Sequence, residues 1–404
     1  MHLATVDFNS ASPIDRLSGL DDSATAPTVV ASFGLGLDST SMLVRWLTEP
    51  ASRDFDLSEL AVVTAMTGHE SRATIDAISQ LVIPMLAEQS VRFIQVARSQ
   101  RRTTRAGAGV VVLDDSRSPS RLYADGLYTL GDEMLTAATL PQLGGKRLCS
   151  VHSKGDALDP VIARITKGQL YRHAVGFEAD EKSRSDKDRT HDTALRAGWY
   201  PLQDWGWTRR DCAQYVLDVL GVEIPKSCCG FCPYSMSSAA GRDQVVERYR
   251  REPQLAVDAL FLEYVARSIN PLQTLIVGSS VADLVAHAGL GEALALFHGR
   301  LASAQWSLYE VRRVVRPAKN GGRGITARAL EVVATGTRAA MSDQLAARPG
   351  RRVLGADGIV RHILRDRSED GADHLFVAAP AGAQSKKRSG FEQWWQEATG
   401  EGLF

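Results

Sequence analysis

Charge of one sign is the first thing this chain lacks, because its 47 Lys and Arg residues are matched by 47 Asp and Glu. A balanced chain has no global basic field to drive nonspecific binding to nucleic acid, although local basic patches remain open to it. Long apolar runs are missing too. None approaches the roughly 18 to 20 residues that span a bilayer, and the opening MHLATVDFNSASPIDRLSG lacks the charged-then-apolar order of a signal peptide. The expectation is a cytoplasmic protein with no membrane partner. Cysteine is scarce and odd in number, five in 404 residues, with Cys228, Cys229 and Cys232 packed into five positions. That pattern disfavours a disulfide framework and suits metal ligation or thiol chemistry. No internal repeat is present.

What the chain does have is apolar material, 44% of the residues, enough to bury the core of two domains or one enlarged one. After a lead-in of 27 residues without a period, TVVASF reads as a buried strand, and Leu43, Val44 and Leu47 recur at helical spacing beyond it. LAVVTAM reads as a second strand, TGHESRATIDAISQLVIPMLAEQ as a helix and VRFIQVA as a third strand. Such alternation predicts an α/β fold with a mostly parallel sheet and helices on both faces. Residues 99–122 are polar and Arg-rich around VVVLDD and read as a loop or insertion. YRHAVGF is strand-like, and TRRDCAQYVLDVLGV is a helix candidate with Thr208 as N-cap and Gly221 as terminator. Residues 240–300 read as mainly helical, and SLYEVRRVV, ALEVVATG and DHLFVAAP as strands of a smaller mixed region. The tail carries Lys386, Lys387 and Arg388 before Phe391, Trp394 and Trp395, with docking on this chain or on a partner both open.

Two glycines interrupt the first strand-to-helix junction, SFGLGLDST at residues 32–40. Backbone amides at such a turn, with the positive end of the following helix, form an anion site. Gly34 and Gly36 would allow close approach and unusual φ values, while Ser32, Ser39 and Thr40 offer hydroxyl donors. Asp38 makes sense beside phosphates if it orients the loop or helps hold Mg²⁺. A plain turn is the alternative. The turn is neither a dinucleotide fingerprint, lacking the third glycine, nor a Walker loop, lacking GK[ST].

SFGLGLDSTSMLV resembles the pyrophosphatase loop of the adenine nucleotide α-hydrolase-like superfamily, the PP-loop ATP pyrophosphatases, in its phosphoadenosine phosphosulfate reductase-like branch. VTAMTGHE is similar to that branch's second-strand segment, with Thr67, Gly68 and Glu70; KRLCSVHSKGDALDP is similar to its Arg-x-Cys segment, with Arg147, Cys149, Lys154 and Pro160. GFEADEKSR resembles its Gly-Ile-x-x-Asp-Glu-x-x-Arg stretch, with Gly176, Asp180, Glu181 and Arg184; YPLQDWGWTRRDC and KSCCGFCPYS match as well. The resemblance runs over residues 28–240. Met66 stands where an Asp is common, and the Glu-Cys-Gly-x-His tail of true sulfonucleotide reductases is absent, which disfavours thioredoxin-coupled sulfate reduction. The resemblance implies a HUP-like, Rossmann-like sheet. It implies ATP with Mg²⁺ bound by Ser32, Gly34, Gly36, Asp38, Ser39, Thr40, Thr67, Gly68, Glu70, Arg147 and Glu181, and catalysis by Asp38, Lys154 and Arg184.

Cys229 and Cys232 form a C-x-x-C turn beside Cys228, and Cys149 lies 79 positions upstream of Cys228. Such thiolates suit zinc, an iron–sulfur cluster, a metal-free redox pair or unrelated thiols. Lys146, Arg147 and Lys226 flank them and would stabilise thiolate charge. If only Cys149, Cys229 and Cys232 bind, an open iron could hold sulfide for transfer. Relatives in adenylylsulfate reduction and DNA phosphorothioation carry iron–sulfur clusters, so the resemblance implies a [4Fe-4S] cluster on Cys149, Cys228, Cys229 and Cys232, with Zn²⁺ as alternative. Cys212, inside a predicted helix, reads as a small buried hydrophobe. His69 and His152 read as local hydrogen-bonding groups, and Asp186, Lys187 and Asp188 as surface.

The expected organisation is an N-terminal extension at 1–27, an ATP-binding domain with the cysteines at 28–240 and a C-terminal helical and mixed domain at 241–404. The expected activity is adenylylation of an acceptor oxygen and its replacement by sulfur, on a small molecule, a nucleobase or nucleic acid, with a cysteine desulfurase or free sulfide as donor. The alternatives are a sulfonucleotide reductase-like enzyme and a nucleotide-binding component of a DNA-modification or defence complex.

Overall fold

The computed structural model describes residues 17–124, 127–143, 147–224, 227–316 and 324–400. The chain divides into two compact units, one from residues 1–130 and 146–229, the other from 131–145 and 230–404.

The first unit is built on six strands: β1 (Val29–Ser32), β2 (Leu60–Met66), β3 (Arg92–Arg98), β4 (Val110–Ser116), β5 (Tyr171–Val175) and β6 (Arg196–Trp199). They lie in the order β4-β3-β2-β1-β5-β6, all parallel except β4, which runs antiparallel to β3. β2 and β3 are buried along their whole length because both faces of the sheet are covered. Val29 and Ala31 enter one core with Leu43 and Leu47 of α1 (Leu37–Thr48) and Ile78 and Val82 of α2 (Arg72–Glu88). Val30, Ala61 and Val63 face the other way, onto Val161, Ile162 and Ile165 of the helix Asp156–Thr166. This is an α/β architecture with a largely parallel sheet flanked by helices.

The polar passage at 99–122 contains a strand after all, the edge strand β4. Its acidic sequence is accommodated because Arg92 Nη2 donates to Asp115 Oδ2 at 2.7 Å and Arg92 Nε to Oδ1 at 2.9 Å. The helix Arg209–Leu220 opens on a capping box between Thr208 and Asp211 and closes on Gly221 at φ 71°. Cys212 is buried within it, and burial pushes its thiol up to about 11.

The second unit begins with the helices Ala239–Arg251, Pro253–Ile269, Val281–His287 and Gly291–Ser303. An antiparallel sheet follows: β7 (Trp306–Arg316), β8 (Ile325–Gly336), β9 (Arg351–Leu354), β10 (Val360–Arg365), β11 (Ala372–Pro380) and β12 (Lys386–Lys387), in the order β12-β8-β7-β11-β10-β9. The tail docks on its own unit. Phe391 and Trp395, on the helix Phe391–Thr399, are buried with Val314, Ala327 and Ala372, and Glu392 accepts from Arg312 and Lys387. Among the described residues no helix is long and apolar enough to cross a membrane.

Candidate functional site

Strand order marks one place in the first sheet. β1 pairs with β2 on one side and β5 on the other, so the direction of winding reverses between β1 and β5. In open α/β sheets ligands bind beyond the carboxyl ends of the strands at such a reversal. Ser32, the last residue of β1, stands in register with Val175, the last of β5. The glycine turn follows the first and residues 176–184 follow the second.

The turn is strained, but not where its glycines suggest. The positive φ, 58°, falls on Leu35, whose side chain is buried, and neither Gly34 nor Gly36 has a positive φ. A left-handed leucine costs about 1–2 kcal/mol, and the apolar packing of its side chain holds it there. The glycines serve close approach instead. A Cβ on Gly36 would stand 2.6 Å from Ser227 Oγ, and one on Gly176 would stand 2.9 Å from the backbone N and Cα of Ser39. Gly34 differs, because the nearest atom to its Cβ position is the ammonium of Lys154, 4.0 Å away. Lys154 belongs to the π-helical turn Val151–Gly155. α1 then starts at Leu37 with Gly36 as N-cap and no side-chain cap. Its first amides and a lysine therefore flank one turn, the composition of an anion site.

Around this turn the polar atoms are incompletely satisfied. Eight buried side-chain polar atoms among the described residues have no hydrogen-bond partner, and four of them are Asp38 Oδ1, Thr40 Oγ1, Glu70 Oε2 and Glu181 Oε2. Each costs about 1–3 kcal/mol when left unpaired, so their concentration on the first turn of α1 and on the segments after β2 and β5 calls for a ligand or another compensation. Asp38 Oδ2 accepts from Arg209 Nη1 at 2.9 Å. Burial holds the Asp38 carboxyl above its ordinary range; Arg209 opposes this, while Glu181 and Glu178 reinforce it. Glu181 accepts from Arg184, whose guanidinium carbon stands 4.4 Å from the centre of the Phe177 ring.

The hydroxyls are used differently from one another. Ser39 Oγ turns back to donate to Gly36 O at 3.2 Å, and Thr40 is fully buried. Ser32 Oγ lies 2.8 Å from His173 Nε2. After β2, Thr67 donates through both N and Oγ1 to Glu70 Oε1, at 2.8 and 2.6 Å, closing a turn around Gly68 at φ 74°. Thr67 and Glu70 thus engage each other first, leaving one Glu70 oxygen open. Arg147 is exposed at the N-cap of the short helix Leu148–Ser150.

The structure therefore joins Gly34 to Lys154, Asp38 to Arg209 and Glu181 to Arg184, with Gly176 against the start of α1. No family model, no curated protein and no solved structure matches the chain.

The metal expectation is corrected. Among the described residues no group of three or more His, Cys, Asp or Glu side chains is arranged to hold a metal ion. Thiolate ligands must converge on one point at about 2.3 Å, and Cys149, Cys228, Cys229 and Cys232 do not form such a set. The C-x-x-C pair spans a structural boundary, since Cys229 ends the first unit and Cys232 belongs to the second. The cysteines form no disulfide. The residues present fit neither a [4Fe-4S] cluster nor Zn²⁺. Asp38, whose Oδ2 is engaged by the Arg209 guanidinium, is likewise in no group of three or more such side chains among the described residues. Lys146 and Lys226, expected to support thiolate charge, lie outside the described residues.

Two residues of this region escape a reading of the sequence. Arg209 stands in the first turn of its helix, 171 positions from Asp38. His173 sits in β5, where period-two alternation in YRHAV puts it on one face with Tyr171 and Val175, the only hint available. The second unit has a cleft of about 330 Å³ lined by Glu310, Arg312, Glu331, Lys386 and Lys387 among others. Glu392 pairs with both Arg312 and Lys387, and with Glu310 and Glu331 in the lining the three cations Arg312, Lys386 and Lys387 meet three carboxylates, which disfavours that cleft as an anion site.

Proposed function

We propose that this protein is an ATP pyrophosphatase that adenylylates an acceptor oxygen. The observation that carries this reading is the Lys154 ammonium facing Gly34 beside the uncapped start of α1, at the reversal of the parallel sheet. In this reading the triphosphate lies against the amides opening α1, with Lys154 meeting the charge that develops on the leaving pyrophosphate. Asp38, raised by burial and with Oδ1 unengaged, takes the proton of the acceptor hydroxyl as its oxygen attacks the α-phosphorus. The bond from that phosphorus to the bridging oxygen breaks, and pyrophosphate departs with the electron pair. Arg184, held by Glu181, faces the new adenylyl ester.

The activated carbon is then ready for displacement of AMP by hydrosulfide, with the carbon–sulfur bond forming as the carbon–oxygen bond breaks. Sulfide comes from a partner or from solution, and the acceptor is a small molecule, a nucleobase or nucleic acid. A cytoplasmic location belongs to the same proposal.

The test is ATP binding by calorimetry on the full chain, followed by pyrophosphate release across candidate acceptors. Binding with acceptor-dependent release supports the reading, and Lys154→Met should weaken the binding about tenfold and abolish the release. Binding without release from any acceptor class would leave a nucleotide-binding component of a larger assembly. Absence of ATP binding would end the reading.

A further inference from the structure

We propose that His173 is a positioning residue that turns the Ser32 hydroxyl into a hydrogen-bond donor aimed at the anion received by the glycine turn. This rests on the nucleotide reading above.

The geometry is a chain across three parallel strands. Ser32 ends β1, His173 lies in the neighbouring β5, and Arg196 opens β6. Arg196 Nε donates to His173 Nδ1 at 3.0 Å, and His173 Nε2 meets Ser32 Oγ at 2.8 Å. Arginine has donors only, so Nδ1 must carry the lone pair. A neutral imidazole has one N–H, which therefore sits on Nε2 and points at Ser32 Oγ. Protonating Nδ1 would set an N–H against a guanidinium. Burial and the Arg196 charge accordingly hold His173 down to about 4, so it is neutral at pH 7.

Arg196 is itself held in place. Its Nη2 donates to Asp188 Oδ2 at 2.6 Å and its Nη1 to Asp192 Oδ1 at 2.7 Å, while Tyr200 donates to the same Asp188 oxygen at 2.9 Å. The charged stretch after β5 thus fixes the tautomer of a histidine on the strand next to the sheet's edge.

The consequence for Ser32 is directional. Its oxygen accepts from His173, and its single proton is left to be donated elsewhere. A serine beside a histidine suggests a nucleophile and its base, but here the histidine nitrogen facing the hydroxyl already carries a proton and cannot take another. Ser32 instead presents O–H to an acceptor, and a phosphoryl oxygen seated on the adjoining turn is such an acceptor.

The test uses the full chain in two arms. Nitrogen-15 NMR of labelled histidine should report the Nε2–H tautomer for His173 at pH 7. ATP titrations should give about tenfold weaker binding for Ser32→Ala and for His173→Phe, the loss of one charge-assisted hydrogen bond. The double variant should bind no more weakly than either, and His173→Gln, which keeps a donor toward Ser32, should recover most of the affinity. An Nδ1–H tautomer, or additive losses in the double variant, overturns the proposal while the nucleotide reading stands. If His173→Phe does not fold, the tautomer and the comparison of His173→Gln with Ser32→Ala still decide: a Gln variant as weak as Ser32→Ala overturns it. If the unaltered chain binds no ATP, both the reading and this proposal fall, whatever the tautomer.

Discussion

The ammonium of Lys154 stands 4.0 Å from the point that a Cβ on Gly34 would occupy and, among the described residues beyond the glycine's chain neighbours, is the nearest group to it. An added methyl there meets neither backbone nor packed side chain. Gly34→Ala should therefore leave the thermal midpoint of unfolding unchanged while filling the space proposed for phosphate. ATP affinity should fall about tenfold, as it should for Lys154→Met, with Lys154→Arg recovering part of the loss. Unchanged affinity in Gly34→Ala, measured by calorimetry, would count against phosphate in this turn.

Gly176 predicts the opposite pattern. Its Cβ would stand 2.9 Å from Ser39 N and Cα and 3.1 Å from the Asp38 carbonyl carbon, all backbone atoms that no rotamer change can move aside. Gly176→Ala should destabilise the first unit by about 1–3 kcal/mol, seen as a lower urea midpoint. A midpoint equal to that of the unaltered chain would mean the loop after β5 is not seated on α1.

The parts of this fold that follow local rules are legible in the sequence. β1 to β3 are short apolar runs, α1 follows from Leu43, Val44 and Leu47, and the helix Arg209–Leu220 announces itself by Thr208 and Gly221. β4 is hidden because its acidic residues look like loop until Arg92, 23 positions away, neutralises Asp115. The charged run at 182–189 is helical, with Asp188 and Arg196 tied together rather than solvated separately. In the site, Lys154 and Glu181 can be picked out by charge, but no periodicity connects Ser32 to His173, 141 positions apart. The cysteines illustrate the converse, since spacing along the chain says that two thiols are close in sequence and not that four converge in space.

Arg92 and Asp115 supply a control remote in purpose from the glycine turn. Their side chains are 4% and 2% exposed, and Arg92 also donates to the carbonyl of Asp21 at 3.0 Å. Removing one member leaves a buried charge without its counter-ion, at a cost of about 3–5 kcal/mol. Asp115→Ala should lower the denaturation midpoint accordingly, and under conditions where the variant remains folded its ATP affinity should match that of the unaltered chain. A loss below about 1 kcal/mol would place this pair with weak surface pairs.

Asp38 should show function bought against stability. Burial raises its carboxyl above 3.8, so in the folded state the charged form is disfavoured relative to the unfolded chain. The resulting penalty is absent below that ordinary value and is fully present once the pH exceeds the folded one. Asp38→Asn removes it at neutral pH, and the lost pair with half-exposed Arg209 is worth about 0–1 kcal/mol. The variant should melt no lower than the unaltered chain at pH 7 while losing acceptor-dependent pyrophosphate release. Lower stability with retained release would reverse the role assigned to Asp38.

His173 gives the pH dependence its sign. Its folded value, about 4, lies below the ordinary 6.5 because of burial and then Arg196, with Asp188 and Asp192 partly offsetting them. Between these values the unfolded chain binds a proton that the folded chain refuses. Stability from this site is therefore complete above pH 6.5 and declines as the pH falls toward about 4, by at most roughly 3 kcal/mol. His173→Gln cannot titrate, so its stability should fall less steeply than that of the unaltered chain over that window. Urea denaturation at half-unit pH steps measures the difference between the two slopes. Superimposable slopes would mean that His173 accepts its proton at an ordinary pH in the folded protein, and the Arg196 contact at Nδ1 would then not persist in solution.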